Sequence, residues 1–503
     1  MPRLENDLSA LGTAAQAYLD RSHPMHIGGK AHAAAASYDL SDPTTGQSFA
    51  RAADASAEDV DAAVRAARAA LNGAWGRMRP NERELAMLRL ADLLERYETE
   101  IAEIETLCSG RLLANTRGVD VGYSVHFLRY MAGWATKLEG QTARLSIPYI
   151  PDGEMAGFTF REPIGVVGAI VPWNVALGIA VWKIAPALAA GCTIVLKPAP
   201  QTPLSALRFA ELALEAGIPE GVINIVTGSG AETGIALVRH PDVNMVTFTG
   251  STPVGRQIAV DAAGAFKRCS LELGGKSPVI LFKDAPLERA IPAAAWAIFS
   301  NHGQNCCAGS RLYVHRSLYD QVIEGVAEIA RNIVIGSPLD PATQMGPVVT
   351  RAQQRRIHDL INAGTAEGAR VVVGGTPIEG PGSYVPPTVL TDVRPDMTPV
   401  REEIFGPVLV AASFDSDAEA LALANGSEFG LGASIWTNDL GRVHHMTRKL
   451  EAGSIWVNVH NALDVALPFG GWKNSGMGAD LSEASVLAHT KIKASVHHYA
   501  ELP

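Results

Sequence analysis

IGVVGAIV (164–171), TIVLK (193–197), VINIVTG (222–228) and NMVTFTG (244–250) decide the fold. Each is a short apolar run, rich in the β-branched residues that pack on a pleated surface. Between them lie stretches of helical spacing, VWKIAPALAAG, then SALRFAELALEAG, then one more ahead of NMVTFTG. Strands alternating with helices of about 10–15 residues mean βαβ units and a parallel sheet. Residues from about 160 to 270 are therefore expected to form an α/β domain of the dinucleotide-binding, Rossmann-like type.

A second alternating series begins near Ser277 with PVILF and runs through RLYVH, RVVVGG and PVLVAASF to SIWVNV, which implies a second α/β domain. Ahead of both, AEDVDAAVRAARAAL (57–71) is an amphipathic helix, 82–107 reads as one or two more, and 120–137 adds another. ARLSIPYI (143–150) and KIKASVHHY (491–499) fit neither series. Both read as strands with exposed edges, which tend to pair with something.

The chain has 503 residues, too many for one core. Its apolar fraction of 47% and charged fraction of 19% describe an ordinary globular protein. A net charge of -10 argues against a nucleic-acid or anionic-membrane partner, because both need a basic surface. There is no apolar run of roughly 18 residues to span a membrane. MPRLENDLSALG lacks an apolar signal region, so a cytoplasmic location is expected. Cys108, Cys192, Cys269, Cys306 and Cys307 are odd in number and lack C-x-x-C spacing, which suggests neither a disulfide framework nor a metal site. The first three read as small buried hydrophobes. Cys306 and Cys307 sit instead in HGQNCCAGSR, a polar, glycine-rich setting that does not suit a core cysteine.

Four further segments bear on chemistry. GSGAETG (228–234), with Gly230, resembles the G-x-G-x-x-G fingerprint but has one residue too many. FTGSTPVG places Gly250 and Gly255 at a helix start, where backbone N–H groups could meet a pyrophosphate or the turn could simply be tight. In LELGGKSP (271–278), Glu272 lies between Leu271 and Leu273, so desolvation should raise its pKa towards the range of a general base; a surface ion pair is the plainer reading. VPWNVALG (171–178) puts Asn174 at a helix start, where it could cap the helix or aim an amide N–H at an oxyanion. Local sequence leaves both open.

Taken in order, PWN, KPAP, FTGSTPVG, LELGGKS, GQNCCAGSR, EEIFGPV and PFGGWKNSG resemble the aldehyde dehydrogenase superfamily over nearly the whole chain. The likeness is to its hydrolytic, NAD-linked branch. FLRYMAGWATKLEGQT and LPFGGWKNSG look closest to enzymes of phenylacetaldehyde-type and related aryl or alkyl aldehydes. The resemblance implies Cys306 as nucleophile, Glu272 as the base that activates water, and Asn174 as the side-chain half of an oxyanion hole. It implies cofactor contacts from Trp173, Lys197, Gly230, Gly250, Ser251 and Gly255, with Glu403 at the nicotinamide ribose and Phe405 beside it. It further implies three parts: an NAD(P)-binding domain over 1–140 and 159–273, a catalytic domain over 274–482, and a small β flap over 141–158 and 483–503 for a homodimer or homotetramer.

Two departures matter. Pro200 stands where NAD-preferring relatives usually carry a glutamate, which leaves NAD favoured and NADP credible. In the implied pocket, Val175, Ser300 and Leu463 replace aromatic residues while Trp182 and Phe469 remain; Gly178 leaves space and Cys307 flanks the nucleophile. A roomier mouth is expected, with aryl or arylalkyl aldehydes as substrates. Two other readings are an acylating, CoA-dependent semialdehyde dehydrogenase and a non-catalytic dinucleotide-binding scaffold; the presence of both Glu272 and Cys306 weighs against them.

Overall fold

Five parallel strands realise the alternation read between residues 160 and 270 in the computed structural model, which describes residues 6–150 and 153–499. Across the sheet they run Ile223–Ile225, Thr193–Lys197, Val166–Ile170, Met245–Thr249, Arg268–Glu272. Numbered along the chain, that order is 3-2-1-4-5. Strand order reverses between Val166–Ile170 and Met245–Thr249, and a doubly wound sheet binds its ligand at the carboxyl ends of such a pair. Every residue of Thr193–Lys197 and Met245–Thr249 is buried, as a sheet covered on both faces requires.

Antiparallel edge strands extend this sheet from both chain ends: Met25–Ile27 and Lys30–His32 on one side, Gly476–Met477 on the other. Their two- and three-residue lengths leave too little periodicity to read from sequence. The helix Ala176–Ala189, which follows the first strand, is buried on almost every side. The expected N-terminal helices are present. Ala57–Asn72 carries a Ser56–Asp59 capping box, and Pro80–Arg96 has its proline in the first turn. The segment expected as a helix over 120–137 begins as a π-helical turn, Thr116–Gly122, and continues as Tyr123–Ala132.

The second sheet has the order Arg370–Val373, Thr388–Thr391, Val408–Phe414, Arg311–His315, Pro278–Leu281, Gly432–Trp436, Ser454–Val457. All neighbours are parallel except the first pair. Thr388–Thr391 and Gly432–Trp436 complete the series read from sequence.

A third sheet joins Thr490–Tyr499 to Glu154–Pro163 along its whole length, and Glu154–Pro163 to Thr142–Arg144. EMAGFTFREP is thus the partner that the two stray segments needed. One expectation is corrected here: ARLSIPYI is strand only as far as Arg144. Pro148 has no amide hydrogen to give a ladder, and Leu145 folds back towards Gly157. Residues 1–5 and 500–503, at the ends of the expected first and last parts, lie outside the described residues. No helix among the described residues is long and apolar enough to cross a membrane.

Candidate active site

Helix Leu287–Phe299 ends in a turn, Ser300–Gly303, in which Asn301 (φ 51), His302 (φ 56) and Gly303 (φ 67) are left-handed in succession. Such a conformation costs a non-glycine residue about 1–3 kcal/mol, so it persists only where surroundings hold it. Asn301 Nδ2 donates to Asn174 O (3.1 Å) and Gln304 O (2.9 Å). His302 Nε2 accepts from Gly346 N (3.0 Å), and Gln304 Oε1 accepts from Val349 N (3.0 Å). His302 stays neutral: burial, helped by the Arg111 charge, brings its pKa down to about 3. At Gly303 a β-carbon would lie 2.0 Å from Gly406 O, so this turn is pressed against the EEIFGPV segment.

The turn separates the two adjacent cysteines. Cys306 is half-buried and lines a cavity of about 700 Å³. Cys307 points away into the apolar core, where its thiol meets Asn461 Oδ1 at 2.9 Å. Its carbonyl accepts from His460 Nε2 at 2.9 Å. The Cys307 thiol and burial both push the Cys306 thiol well above its ordinary pKa, so Cys306 rests as a thiol.

Asn174 is not a helix cap. The N-cap of Ala176–Ala189 is Val175, and no side chain caps it. Asn174 Nδ2 instead donates to Gln304 O at 3.1 Å, beside Cys306, and Asn174 lines the same cavity. An amide nitrogen carries two hydrogens, so one remains for a ligand.

Glu272 ends strand Arg268–Glu272 and is 2% exposed; neither carboxyl oxygen has a hydrogen-bond partner. Burial, then the Asp480 carboxylate, raises its pKa well above the ordinary value, against the pull of Lys183. Asp480 is itself ion-paired to buried Lys183 at 2.5 Å. The desolvation read from Leu271 and Leu273 is therefore present.

The glycines after Glu272 have separate tasks that the linear sequence did not disclose. A β-carbon on Gly274 would sit 2.5 Å from Glu403 Oε2, and one on Gly275 would sit 2.2 Å from Cys306 O. Gly275 N donates to Glu403 Oε1 at 2.9 Å, and burial raises the Glu403 pKa to about 7. Phe405 has φ 56, with its carbonyl held by Gln353 Nε2 at 2.9 Å. Arg356 Nη1 donates to the carbonyls of Glu403 and Ile404, both at 3.1 Å.

Trp173, Asn174, Gly250, Ser251, Cys306, Glu403 and Phe405 all line the one cavity, together with Thr249, Arg256 and Gln353, which sequence reading did not single out. It opens where the strand order reverses. Trp173 and Phe405 meet edge to face at 5.3 Å between ring centroids. Other expected residues lie off this lining. Gly255 is buried, where a β-carbon would strike Leu273, so it serves close packing of helix Thr252–Gly264 on the sheet. Lys197 is buried with its ammonium on Gly228 O (3.1 Å), and Pro200 and Gly230 are outside the lining too. Ser300 is exposed at the end of its helix, so the expectation that it shapes a wall opposite Trp182 finds no support in its placement. Gly178 is buried in Ala176–Ala189, where a β-carbon would press on Val175.

Val175, Trp182, Leu463, Phe469, Cys306 and Cys307 pack into one apolar cluster. Trp182 meets Phe469 at 6.0 Å and Tyr123 at 6.4 Å between ring centroids, both edge to face. Tyr123, which sequence reading did not single out, joins this aromatic group from the first position of the helix Tyr123–Ala132.

Fold and site define the class: an α/β protein with a half-buried cysteine on the lining of a cavity that opens at the switch point of a doubly wound sheet. Residues 31–495 match the model of the aldehyde dehydrogenase family. The chain is 50% identical over 484 residues to the phenylacetaldehyde dehydrogenase of Pseudomonas fluorescens, covering 95% of this chain and 96% of that one. It superposes on an NAD+ complex of a Bacillus cereus aldehyde dehydrogenase with TM-score 0.94 at 43% identity, covering 97% and 99% of the two chains. An indole-3-acetaldehyde dehydrogenase solved with NAD+ matches with TM-score 0.92 at 41% identity, over 97% and 99%. The chain belongs to the aldehyde dehydrogenase family and is an oxidoreductase.

Proposed function

We propose that this enzyme oxidises arylalkyl or aryl aldehydes to carboxylic acids with NAD as hydride acceptor, and that Cys306, Asn174 and Glu272 carry the chemistry. The observation that supports this most is that Cys306 and Asn174 line the same cavity as the N-terminus of helix Thr252–Gly264.

The cavity fits a dinucleotide. Its volume of about 700 Å³ is within the range of cofactor sites. Helix Thr252–Gly264 begins there with Ser251 as an N-cap that makes no side-chain bond, which leaves first-turn N–H groups for phosphate oxygens. The hydroxyl of Thr249 is buried without a partner on the same lining. Trp173, Gly250, Ser251, Glu403 and Phe405 would hold the group, and the nicotinamide would supply a two-electron acceptor. Lys197 and Pro200, at and just past the carboxyl end of strand Thr193–Lys197, would meet the adenosine ribose, and Gly230 and Gly255 shape the turn and the helix beside it.

Cys306 loses its proton to solvent and attacks the aldehyde carbon as the thiolate, forming a tetrahedral thiohemiacetal whose oxyanion accepts a hydrogen bond from the free Asn174 N–H. Loss of hydride leaves a thioester on Cys306. Glu272 then takes a proton from water, and the resulting hydroxide expels the Cys306 thiolate as the acid forms. A buried glutamate with raised pKa suits that transfer near neutral pH. Glu272 also favours water over CoA as the acyl acceptor.

The substrate class rests on the aromatic wall of Tyr123, Trp182 and Phe469 beside Val175 and Leu463. A ring stacked there buries on the order of 100 Å², worth a couple of kcal/mol over acetaldehyde at roughly 25 cal/mol/Å². The names of the similar phenylacetaldehyde and indole-3-acetaldehyde enzymes agree with it. Comparing kcat/KM for phenylacetaldehyde, a benzaldehyde, hexanal and acetaldehyde, with NAD and with NADP, is the test. Acetaldehyde ranking first would overturn the substrate reading.

A homodimer or homotetramer goes with this reading, supported by the exposed strand Thr490–Tyr499 that carries Ile492, Val496 and Tyr499 outward. The division into cofactor, catalytic and flap parts is kept, with the flap strand Glu154–Pro163 moving its boundary past residue 158. Five cysteines without a disulfide suit the cytoplasm.

A further inference from the structure

Behind Asn174 lies a buried ionic group that the chemistry above does not use. Arg111 is 3% exposed, and its Nη1 donates to Asn174 O at 2.6 Å. Its Nη2 pairs with Asp120 at 2.9 Å, and Asp120 is fully buried. Two residues on, Ala176 N donates to Glu105 Oε1 at 3.2 Å, and Glu105 Oε2 accepts from Ser205 Oγ at 2.5 Å. The backbone is therefore tethered on both sides of Val175, whose φ of -145 and ψ of 61 make the bend into the helix.

Burying an arginine and two carboxylates is costly, and such groups are weak evidence for stability alone. Apolar residues of similar volume would serve packing at least as well. Asp120 reaches Arg111 from the π-helical turn Thr116–Gly122, an irregularity that recurs at functional sites. All of these bonds converge on the three-residue bend that presents the Asn174 amide to the cavity.

We propose that Arg111, oriented by Asp120, is a positioning residue: by gripping the Asn174 carbonyl it sets the direction in which the Asn174 side chain donates. The inference rests on the oxyanion reading of Asn174 given above. With the carbonyl held by Arg111 and Asn301, and one amide hydrogen engaged by Gln304 O, the remaining hydrogen has a single direction. Arg111→Lys keeps the charge and the pairing with Asp120 but loses the planar fork that reaches both partners at once.

The test is a double-mutant cycle read by the pre-steady-state burst of NADH with phenylacetaldehyde and NAD. Asn174→Ala should slow the burst about 100- to 1000-fold. Arg111→Lys should slow it about 10- to 100-fold, with KM, NAD affinity by fluorescence titration and Tm near wild type. In the Asn174→Ala background, Arg111→Lys should add less than about threefold, because the group it positions is gone. Equal slowing in both backgrounds, or an unchanged burst in folded Arg111→Lys, would overturn the inference while leaving the oxyanion reading intact. A wild-type burst in Asn174→Ala would remove that reading and this inference with it. Where Arg111→Lys does not fold, Asp120→Asn, which keeps the shape and an acceptor oxygen, carries the same expectations.

Discussion

Gly275 lies so close beneath the nucleophile loop that a β-carbon on it would come within 2.2 Å of the Cys306 carbonyl oxygen. Backbone cannot yield as a flexible side-chain end can, so Gly275→Ala should displace Cys306 by roughly 1 Å to restore an ordinary contact. We expect aldehyde oxidation to fall by at least about 100-fold, since a displacement near 1 Å is worth that much in a reacting pair. Gly264→Ala, where a β-carbon meets nothing within 4 Å, should leave kcat/KM unchanged. Equal activity of the two variants would show that the loop accommodates the methyl group.

The two neighbouring cysteines should respond oppositely. Cys306→Ala should abolish oxidation and keep NAD affinity, because Cys306 alone of the pair lines the cavity. Cys307→Ala, which removes a buried thiol bonded to Asn461, should cost about 1–2 kcal/mol of stability and keep most of the turnover. Steady-state assays and thermal melts check both; full activity in Cys306→Ala would end its assignment as nucleophile.

Glu272→Gln should form about one NADH per site and then stall, since only water activation is lost. The same variant should melt higher. Glu272 has a raised pKa in the folded state, so above roughly pH 4.5 the unfolded chain ionises while the folded one holds the proton. Stability attached to this group is thus full below that pH and declines as pH rises towards the folded pKa. Removing the titration should contribute about 0.5–2 kcal/mol at neutral pH, an advantage that vanishes in acid. Melting curves of wild type and variant at pH 4 and pH 8 measure it, and a variant less stable at pH 8 contradicts it.

Activity should rise with pH through neutrality. Both Cys306 and Glu272 hold their protons above their ordinary pKa values, and each must lose one to act. A kcat/KM profile that falls between pH 6 and 8 would show that neither titration controls the rate.

Pro200→Glu should sharpen NAD preference by placing a carboxylate against a 2′-phosphate. The NADP to NAD ratio of kcat/KM should drop by about tenfold or more; an unchanged ratio would place residue 200 away from the ribose.

Strand alternation, the desolvation of Glu272 between two leucines and the unsuitability of Cys306–Cys307 for an ordinary core were legible from the chain itself, because each depends on neighbours a few residues apart. Periodicity follows local backbone geometry, and a carboxylate flanked by leucines in a strand tends to be desolvated. What tertiary structure alone decided involves partners on separate elements, well beyond the reach of any local pattern. It sent Cys307 to Asn461 and left Cys306 on the cavity, moved the helix cap from Asn174 to Val175, and turned the Asn174 amide towards Gln304. It gave Gly274 and Gly275 their separate tasks under Glu403 and Cys306, and it brought Tyr123 to Trp182 and Arg111 to Asn174. No local pattern records these meetings, because the packing of separate elements sets which side of a turn is filled and which faces open space.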